Sequence, residues 1–180
     1  MVYCYLANGF EEIEALATVD ILRRADIEIR TVGVGEDMIH GAHQMLIIPD
    51  LKESDVVLDD NVEAIILPGG MPGTLNLQKS KAVQKAIDFA VERNIYICAI
   101  CAAPLILGHK GLLEGKKATC YPGFEKDLIG ADVTGNSVEA DDKFITGKGA
   151  GVAIDFALKI VEKLVSKKES EKINAAIQSK

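Results

Sequence analysis

The sequence predicts an α/β domain in which a mostly parallel central sheet is covered by helices on both faces. Three observations carry that expectation. Apolar segments of strand length alternate with amphipathic helical ones along the whole chain. The internal segments 64–67 and 95–100 are continuously apolar, as strands covered on both faces are. At 180 residues with 48% hydrophobic content, the chain holds one domain's worth of core-forming sequence. A domain of this size buries roughly 70% of its unfolded surface and needs neither disulfides nor metal for stability.

Taken in order, residues 2–6 form a first strand, Asn8 and Gly9 a turn, and 12–25 a helix. Its core stripe is Ile13, Leu16, Ala17 and Ile21 at helical spacing. A second strand follows at 28–34. Residues 35–60 are less regular, with apolar 45–48 and 56–58 as short strands or parts of an added hairpin. The central strand 64–67 ends in Pro68-Gly69-Gly70, and 73–81 is loop or short helix. Ala82, Val83, Ala86, Ile87, Ala90 and Val91 then mark one face of a helix closing near Arg93. Strand 95–100 runs straight into a short helix at 102–108, followed by a strand around 118–120. Residues 138–141 and 144–146 suit a hairpin turned by Asp142 and Lys143. Residues 147–151 open a long helix striped by Ile154, Ala157, Leu158, Val161, Leu164 and Val165. We place a single domain at 1–166 and a charged C-terminal helix or tail at 167–180, packed at the edge or frayed.

Charge and cysteine usage narrow the partners. Twenty basic and 27 acidic residues give a net charge of −7, so nucleic acid and anionic membranes, which demand a basic face, are not expected partners. No apolar run approaches the roughly 20 residues of a membrane span. Residues 1–6 lead into Asn8-Gly9-Phe10-Glu11-Glu12 without the basic region and cleavage site of a signal peptide, which predicts a cytoplasmic protein. The four cysteines, Cys4, Cys98, Cys101 and Cys120, are too few for a disulfide framework and are read as reduced thiols.

The chemistry centres on Tyr96-Ile97-Cys98-Ala99-Ile100-Cys101-Ala102-Ala103-Pro104, an apolar strand running into a helix with a cysteine at the junction. That is the pattern of a nucleophile elbow, where strained backbone and exposed helix amides favour the thiolate. Cys98, inside the strand, fits a buried core cysteine, the more common fate of a free thiol. Cys101 sits where the sheet ends and ligands bind in open α/β folds. The Cys98-x-x-Cys101 spacing suggests a redox pair or half a zinc site, but the first cysteine would lie within a strand and no second ligand pair exists.

A thiolate needs a group to manage protons, and Glu11, Glu12 and Glu14 cluster after the first strand at the same sheet edge. Glu14 is the candidate: at the pocket rim its carboxyl would be pushed up and would donate a hydrogen bond to sulfur. Glu11 and Glu12 read as ordinary first-turn acids favoured by the helix dipole. The loop Leu67-Pro68-Gly69-Gly70-Met71-Pro72-Gly73 lets backbone amides approach a bound group, or is simply a tight turn. Gly147-Lys148-Gly149-Ala150-Gly151 matches neither phosphate-loop pattern and reads as a helix-opening turn. Of His40, His43 and His109, none is placed to serve Cys101; His109 ends the helix begun there as a dipole partner.

Glu11-Glu12-Ile13-Glu14, Leu67-Pro68-Gly69-Gly70, Ala99-Ile100-Cys101-Ala102-Ala103-Pro104, Thr119-Cys120-Tyr121-Pro122-Gly123 and Thr146-Gly147-Lys148-Gly149 together resemble the DJ-1/ThiJ/PfpI superfamily, in order and over nearly the whole chain. The resemblance is nearest to the DJ-1/ThiJ branch and implies a flavodoxin-like three-layer sandwich, usually a homodimer. It further implies that Cys101 is the reactive elbow cysteine, readily oxidised to sulfinate, and Glu14 the protonated glutamate bonded to it. The amides of Gly70 and Ala102, with Gly69 beside them, would form an oxyanion-type pocket.

The chain departs from the superfamily pattern at three places. The protease branch carries a histidine directly after the nucleophile, where this chain has Ala102, so peptidase activity is disfavoured. Several branch members place a histidine near the cysteine where Tyr121 stands, and a phenol with an ordinary pKa near 10 is a poor base at neutral pH. Tyr121 is left to bond substrate or shape the pocket. His43 stands where some members have an arginine near the dimer contact, which makes Arg24 and His43 candidate interface residues.

Two functions fit these residues. One is a reaction without cofactor or metal on a small dicarbonyl such as methylglyoxal, giving lactate, or on early glycation adducts of proteins. The other is an oxidation sensor in which Cys101 sulfinate alters stability or partner binding. A holdase-type chaperone, or the thiamine-precursor role attached to some ThiJ relatives, finds no distinct motif here.

Overall fold

The computed structural model describes residues 1–179, so Lys180, the last residue of the expected C-terminal tail, lies outside the described residues. The first strand, β1 (Val2–Leu6), leads through the Asn8–Gly9 turn into α1 (Glu12–Arg24) and then β2 (Ile29–Gly33). A small insertion follows: β3 (Ile39–His40) and β4 (Leu46–Ile47) make an antiparallel hairpin, and β5 (Leu51–Lys52) joins the main sheet beside β2. Next come β6 (Ala64–Leu67), α2 (Gly73–Lys79), α3 (Lys81–Glu92), β7 (Tyr96–Ile100) and α4 (Pro104–His109). The chain closes with β8 (Lys117–Ala118), β9 (Asp132–Val133), β10 (Val138–Asp141), β11 (Phe144–Gly147), α5 (Ala153–Leu164) and α6 (Lys167–Ala176).

Seven strands form the central sheet in the order β10-β11-β7-β6-β1-β2-β5, and only the β10–β11 pair is antiparallel. Side-chain alternation builds the three layers. Along β1, Val2, Cys4 and Leu6 point toward α1 and α5, while Tyr3 and Tyr5 point toward α2 and α3. Ala64 and Ile66 against Ile65 and Leu67 do the same on β6. Both faces are therefore dry, which is why these strands are apolar throughout. The flavodoxin-like three-layer arrangement of helices on both faces is thus realised.

Capping fits the chain's local chemistry. Ser80 starts α3 by accepting the Val83 amide at 3.3 Å, and Ser166 starts α6 by accepting the Glu169 amide at 3.1 Å. The C-terminal helix is docked, with Ser170 Oγ donating to the Leu158 carbonyl at 2.8 Å and Ile173 buried against the α1–α5 layer.

Several expectations need correction. Ile13 does not face the core; it is 59% exposed. The buried face of α1 carries Glu12, Glu14, Ala15, Thr18, Val19, Ile21 and Leu22. Apolar periodicity missed it because three of those positions are polar: Thr18 Oγ1 donates to the Glu14 carbonyl at 2.6 Å, while Glu12 and Glu14 are held by the distant His43 and Gly69 amides. Val91, Ile154 and Val165 are likewise exposed ends of their stripes. The strand expected at 118–120 is only β8, paired with β9 outside the main sheet, and 56–58 forms no strand.

Candidate functional site

β7 delivers its last residue, Ile100, to the carboxyl edge of the sheet, and Cys101 turns the chain there with φ +65°. This left-handed backbone is costly for any residue with a Cβ and persists where neighbours over-determine it. Here they do: the Cys101 amide donates to the Gly147 carbonyl and its own carbonyl accepts from the Tyr121 amide, each at 2.8 Å. Cys101 is half-buried, whereas Cys4, Cys98 and Cys120 are buried. Helix α4 begins only at Pro104, so the sulfur faces the individual amides of Ala102 and Gly70 rather than a helix end.

Glu14 reaches the same spot from the first turn of α1. It is 1% exposed, and its Oε2 accepts the Gly69 amide at 2.8 Å. Oε1 is buried with no hydrogen-bond partner among the described residues. Burial pushes the carboxyl up to about 7; the negative charge of Glu11 adds to this, while the Gly69 amide and Cys101 pull the other way. Burial likewise pushes the Cys101 thiol up to about 12, helped by the charge of Glu14 and opposed by the amides of Ala102 and Gly70. The part of that rise owed to Glu14 vanishes once the carboxyl takes a proton, so the two groups titrate as one pair.

Two glycines make the approach possible. A Cβ on Gly69 would lie 2.6 Å from the Cys101 Cβ and 2.7 Å from Glu14 Oε2. A Cβ on Gly70, at φ +89°, would overlap the Glu11 amide nitrogen. The loop after β6 is thereby pressed onto the loop after β1, and the Glu11 amide donates to the Gly69 carbonyl at 2.9 Å. Gly69 is not a free oxyanion donor, because its amide is taken by Glu14. Gly70 and Ala102 are the amides left beside the sulfur.

The remaining candidates scatter. Tyr121 is 51% exposed, lies over Gly149, and touches Cys101 through its backbone amide. Arg24 pairs with Asp20 at 2.6 Å at the far end of α1. His43 sits at the other end, with Nδ1 2.9 Å from Glu12 and 3.5 Å from Glu11, so the structure does not bring Arg24 and His43 together.

Sequence reasoning missed Glu12. It is not an ordinary first-turn acid but 3% exposed, accepting the His43 amide at 2.7 Å and the His43 ring at 2.9 Å. Burial raises its carboxyl, but the bonds from His43 and from backbone amides outweigh that and hold it low. The Glu12 bond and the charges of Glu11 and Glu12 hold the His43 imidazolium up. A run of three glutamates in four positions was the available signal, since such a run cannot keep every carboxyl on the exposed face of a helix. Among the described residues, Glu11, Glu12 and His43 are also the one group whose ligand atoms lie close enough together to hold a metal ion.

A groove of about 650 Å³ opens elsewhere at the same sheet edge, between the ends of β1 and β2, lined by Asn8, Gly35, Glu53, Asn76 and Lys79 among others. It does not include Cys101. Among the described residues no helix is long and apolar enough to cross a membrane.

A sequence model of the DJ-1/PfpI family matches residues 1–163. The chain is 36% identical over 178 residues to "Protein DJ-1 homolog B" of Arabidopsis thaliana, covering 96% of this chain but 40% of that protein. It spans 45% of the length of the Arabidopsis homolog A. A Caenorhabditis elegans protein named "Glutathione-independent glyoxalase DJR-1.2" is 33% identical over 156 residues, covering 86% of this chain and 82% of its own. The solved structure of Toxoplasma gondii DJ-1 in an oxidised form superposes with a TM-score of 0.93 at 32% identity, over 98% of this chain and 97% of that one.

Proposed function

We propose, from the premise that this chain belongs to the DJ-1/PfpI family, that it is a cysteine-dependent enzyme acting on small reactive dicarbonyls. The substrate class is methylglyoxal or the early glycation adducts formed from it. One observation carries the reading: a buried glutamate, raised to about 7 and holding one oxygen without a donor, stands beside a half-exposed thiol flanked by two backbone amides. The name of the C. elegans relative points to the same class of reaction.

Each step uses groups of the chain. With the shared proton on Glu14, the Cys101 thiolate adds to the aldehyde carbon of methylglyoxal and forms a C–S bond. The resulting alkoxide sits against the Gly70 and Ala102 amides and takes the Glu14 proton. Glu14, now a carboxylate, removes the hydrogen from that carbon and returns it to the neighbouring keto carbon. The first carbon is thereby oxidised to a thioester and the second reduced to an alcohol, with no outside redox partner. Water then cleaves the thioester, releasing lactate and the thiol.

A second reading rests on the half-exposure of Cys101 among otherwise buried cysteines. Peroxide would convert its thiolate through sulfenate to sulfinate, held by the same two amides and by protonated Glu14. We further propose a single domain over 1–166 with α6 appended, a cytoplasmic setting, and assembly as a homodimer whose contact includes Arg24 and His43. The homodimer reading is supported by the exposed apolar side chains of Ile13, Met45, Leu46 and Ile48.

The test is lactate production from methylglyoxal by the wild type, Cys101→Ala and Glu14→Gln, reduced and with chelator present. Turnover lost in both variants supports the dicarbonyl mechanism. Absence of turnover in the wild type overturns it and leaves the oxidation-sensing role.

A further inference from the structure

Glu11 and Glu12 stand at the start of α1 and His43 in the turn between β3 and β4, yet both carboxylates aim an oxygen at the same ring nitrogen. His43 Nδ1 lies 2.9 Å from Glu12 Oε2 and 3.5 Å from Glu11 Oε2. That nitrogen carries at most one proton, and the shorter contact takes it. The Glu11 side chain is 14% exposed, and its carboxylate receives no hydrogen bond among the described residues. A carboxylate so nearly buried without a donor is costly unless something else meets it.

The group is also held in place from outside. Glu12 is 3% exposed, and its Oε1 is filled by the His43 amide at 2.7 Å and the Met45 amide at 3.4 Å, which leaves Oε2 for the ring. The turn that presents His43 is pinned by further backbone bonds. The Ala42 amide donates to the Phe10 carbonyl at 2.8 Å, and the Gly41 amide to the Met45 carbonyl at 2.9 Å. Gly41 permits this approach, because a Cβ there would overlap the Glu12 carboxylate. The His43 side chain is 68% exposed, so one side of the group opens to solvent.

We propose that Glu11 Oε2, Glu12 Oε2 and His43 Nδ1 bind a divalent transition metal ion, zinc above others, with water completing its shell. The three ligand atoms lie within 4.8 Å of one another. An ion about 2.0–2.2 Å from each, the distance zinc prefers, keeps tetrahedral neighbours about 3.4 Å apart. The Glu11 contact, at 3.5 Å, already has that spacing, and the Glu12 contact, at 2.9 Å, reaches it by opening about half an ångström. Two carboxylates balance the ion's charge, and the imidazole selects zinc over magnesium and calcium, which take oxygen ligands. The ion replaces one shared proton and satisfies both glutamates at once. It ties the β3–β4 turn to the start of α1, where the Glu11 amide holds the Gly69 carbonyl at 2.9 Å. The proposed reaction draws no group from this site, and the inference does not rest on the dicarbonyl reading.

The test is zinc binding by the reduced protein, read by competition with a chromogenic chelator. The wild type should take one zinc ion per chain. X-ray absorption of that ion should show nitrogen and oxygen neighbours and no sulfur at about 2.3 Å, which separates this site from the cysteines. Glu11→Gln and His43→Gln leave the buried Glu12 and its amide bonds in place. Each should weaken binding by at least about a hundredfold, more than the loss of an outer-shell partner does. His43→Arg keeps a cation beside both glutamates but offers no ligand nitrogen, so it should lose zinc to the same extent while its circular dichroism stays that of the wild type. Zinc held by sulfur, binding unchanged in Glu11→Gln or in both His43 variants, or no binding at micromolar zinc overturns the proposal.

Discussion

Gly69 is the surface against which Cys101 rests: a single carbon added to its Cα would come 2.6 Å from the Cys101 Cβ. The same carbon would meet Glu14 Oε2 at 2.7 Å and the Ile100 carbonyl at 3.0 Å. Neither the pinned elbow backbone nor the buried carboxyl has room to retreat. Gly69→Ala should therefore cost about 1–3 kcal/mol through overpacking and push Cys101 and Glu14 apart. Urea midpoints give the first effect. The second appears as a fall of at least about tenfold in the alkylation rate of Cys101 or in turnover, the equivalent of one lost hydrogen bond.

Stability should carry the mark of Glu14. Its ordinary value of 4.5 rises to about 7 on folding. Below about pH 4.5 the carboxyl is protonated in both states and costs nothing. Between 4.5 and 7 the unfolded chain releases the proton while the folded one keeps it, so stability falls as pH rises. Above 7 the loss levels off, on the order of 3 kcal/mol. Glu14→Gln lacks this penalty, so its stability relative to the wild type should climb across that window and then stay flat. Denaturant unfolding at pH 4.5, 6, 7 and 8 follows it; a difference that does not change with pH would show that Glu14 ionises without cost.

The backbone at Cys101 makes its own forecast. Alanine keeps the Cβ that φ +65° disfavours, and glycine removes it. Cys101→Gly should exceed Cys101→Ala in stability by about 1 kcal/mol, although glycine normally destabilises ordered backbone. Thermal unfolding of the two variants side by side decides this.

Alkylation should single out one sulfur. Burial raises all four thiols, but Cys4, Cys98 and Cys120 are buried away from reagent whereas Cys101 is only half-buried. In the folded protein iodoacetamide should label Cys101 first, with the other three reacting only after denaturation. Intact-mass measurement against time, with Cys101→Ala as control, reports the order.

Much of this architecture can be read from residue pattern. The unbroken apolar runs at β6 and β7 announce strands buried on both faces, and a cysteine between such a run and Pro104 announces the elbow. Gly69 and Gly70 are legible as the place where backbones meet. What the pattern hides is polar burial. Periodicity assigns the core face of α1 to Ile13 because hydrophobic residues alone are counted, while the real face holds Glu12, Glu14 and Thr18, each supplied with a partner from a distant loop or from the preceding turn. Those partners, Gly69 at 55 residues' distance and His43 at 31, leave no local trace. The short β3, β4 and β5 are equally obscure, since two-residue strands have no period to detect.

The ends of the central sheet bear on how molecules of this protein meet. At one side β5 offers only Leu51 and Lys52 as a docking rail. At the other, β10 carries Glu139 and Asp141, and the Lys117 amide next to it is already engaged by the Asp141 carboxylate at 2.9 Å. A strand from a neighbour finds a rail too short on one side and a charged, occupied one on the other. Edge-to-edge addition of a neighbour's strand to the central sheet, the step that builds fibrils, is thereby disfavoured.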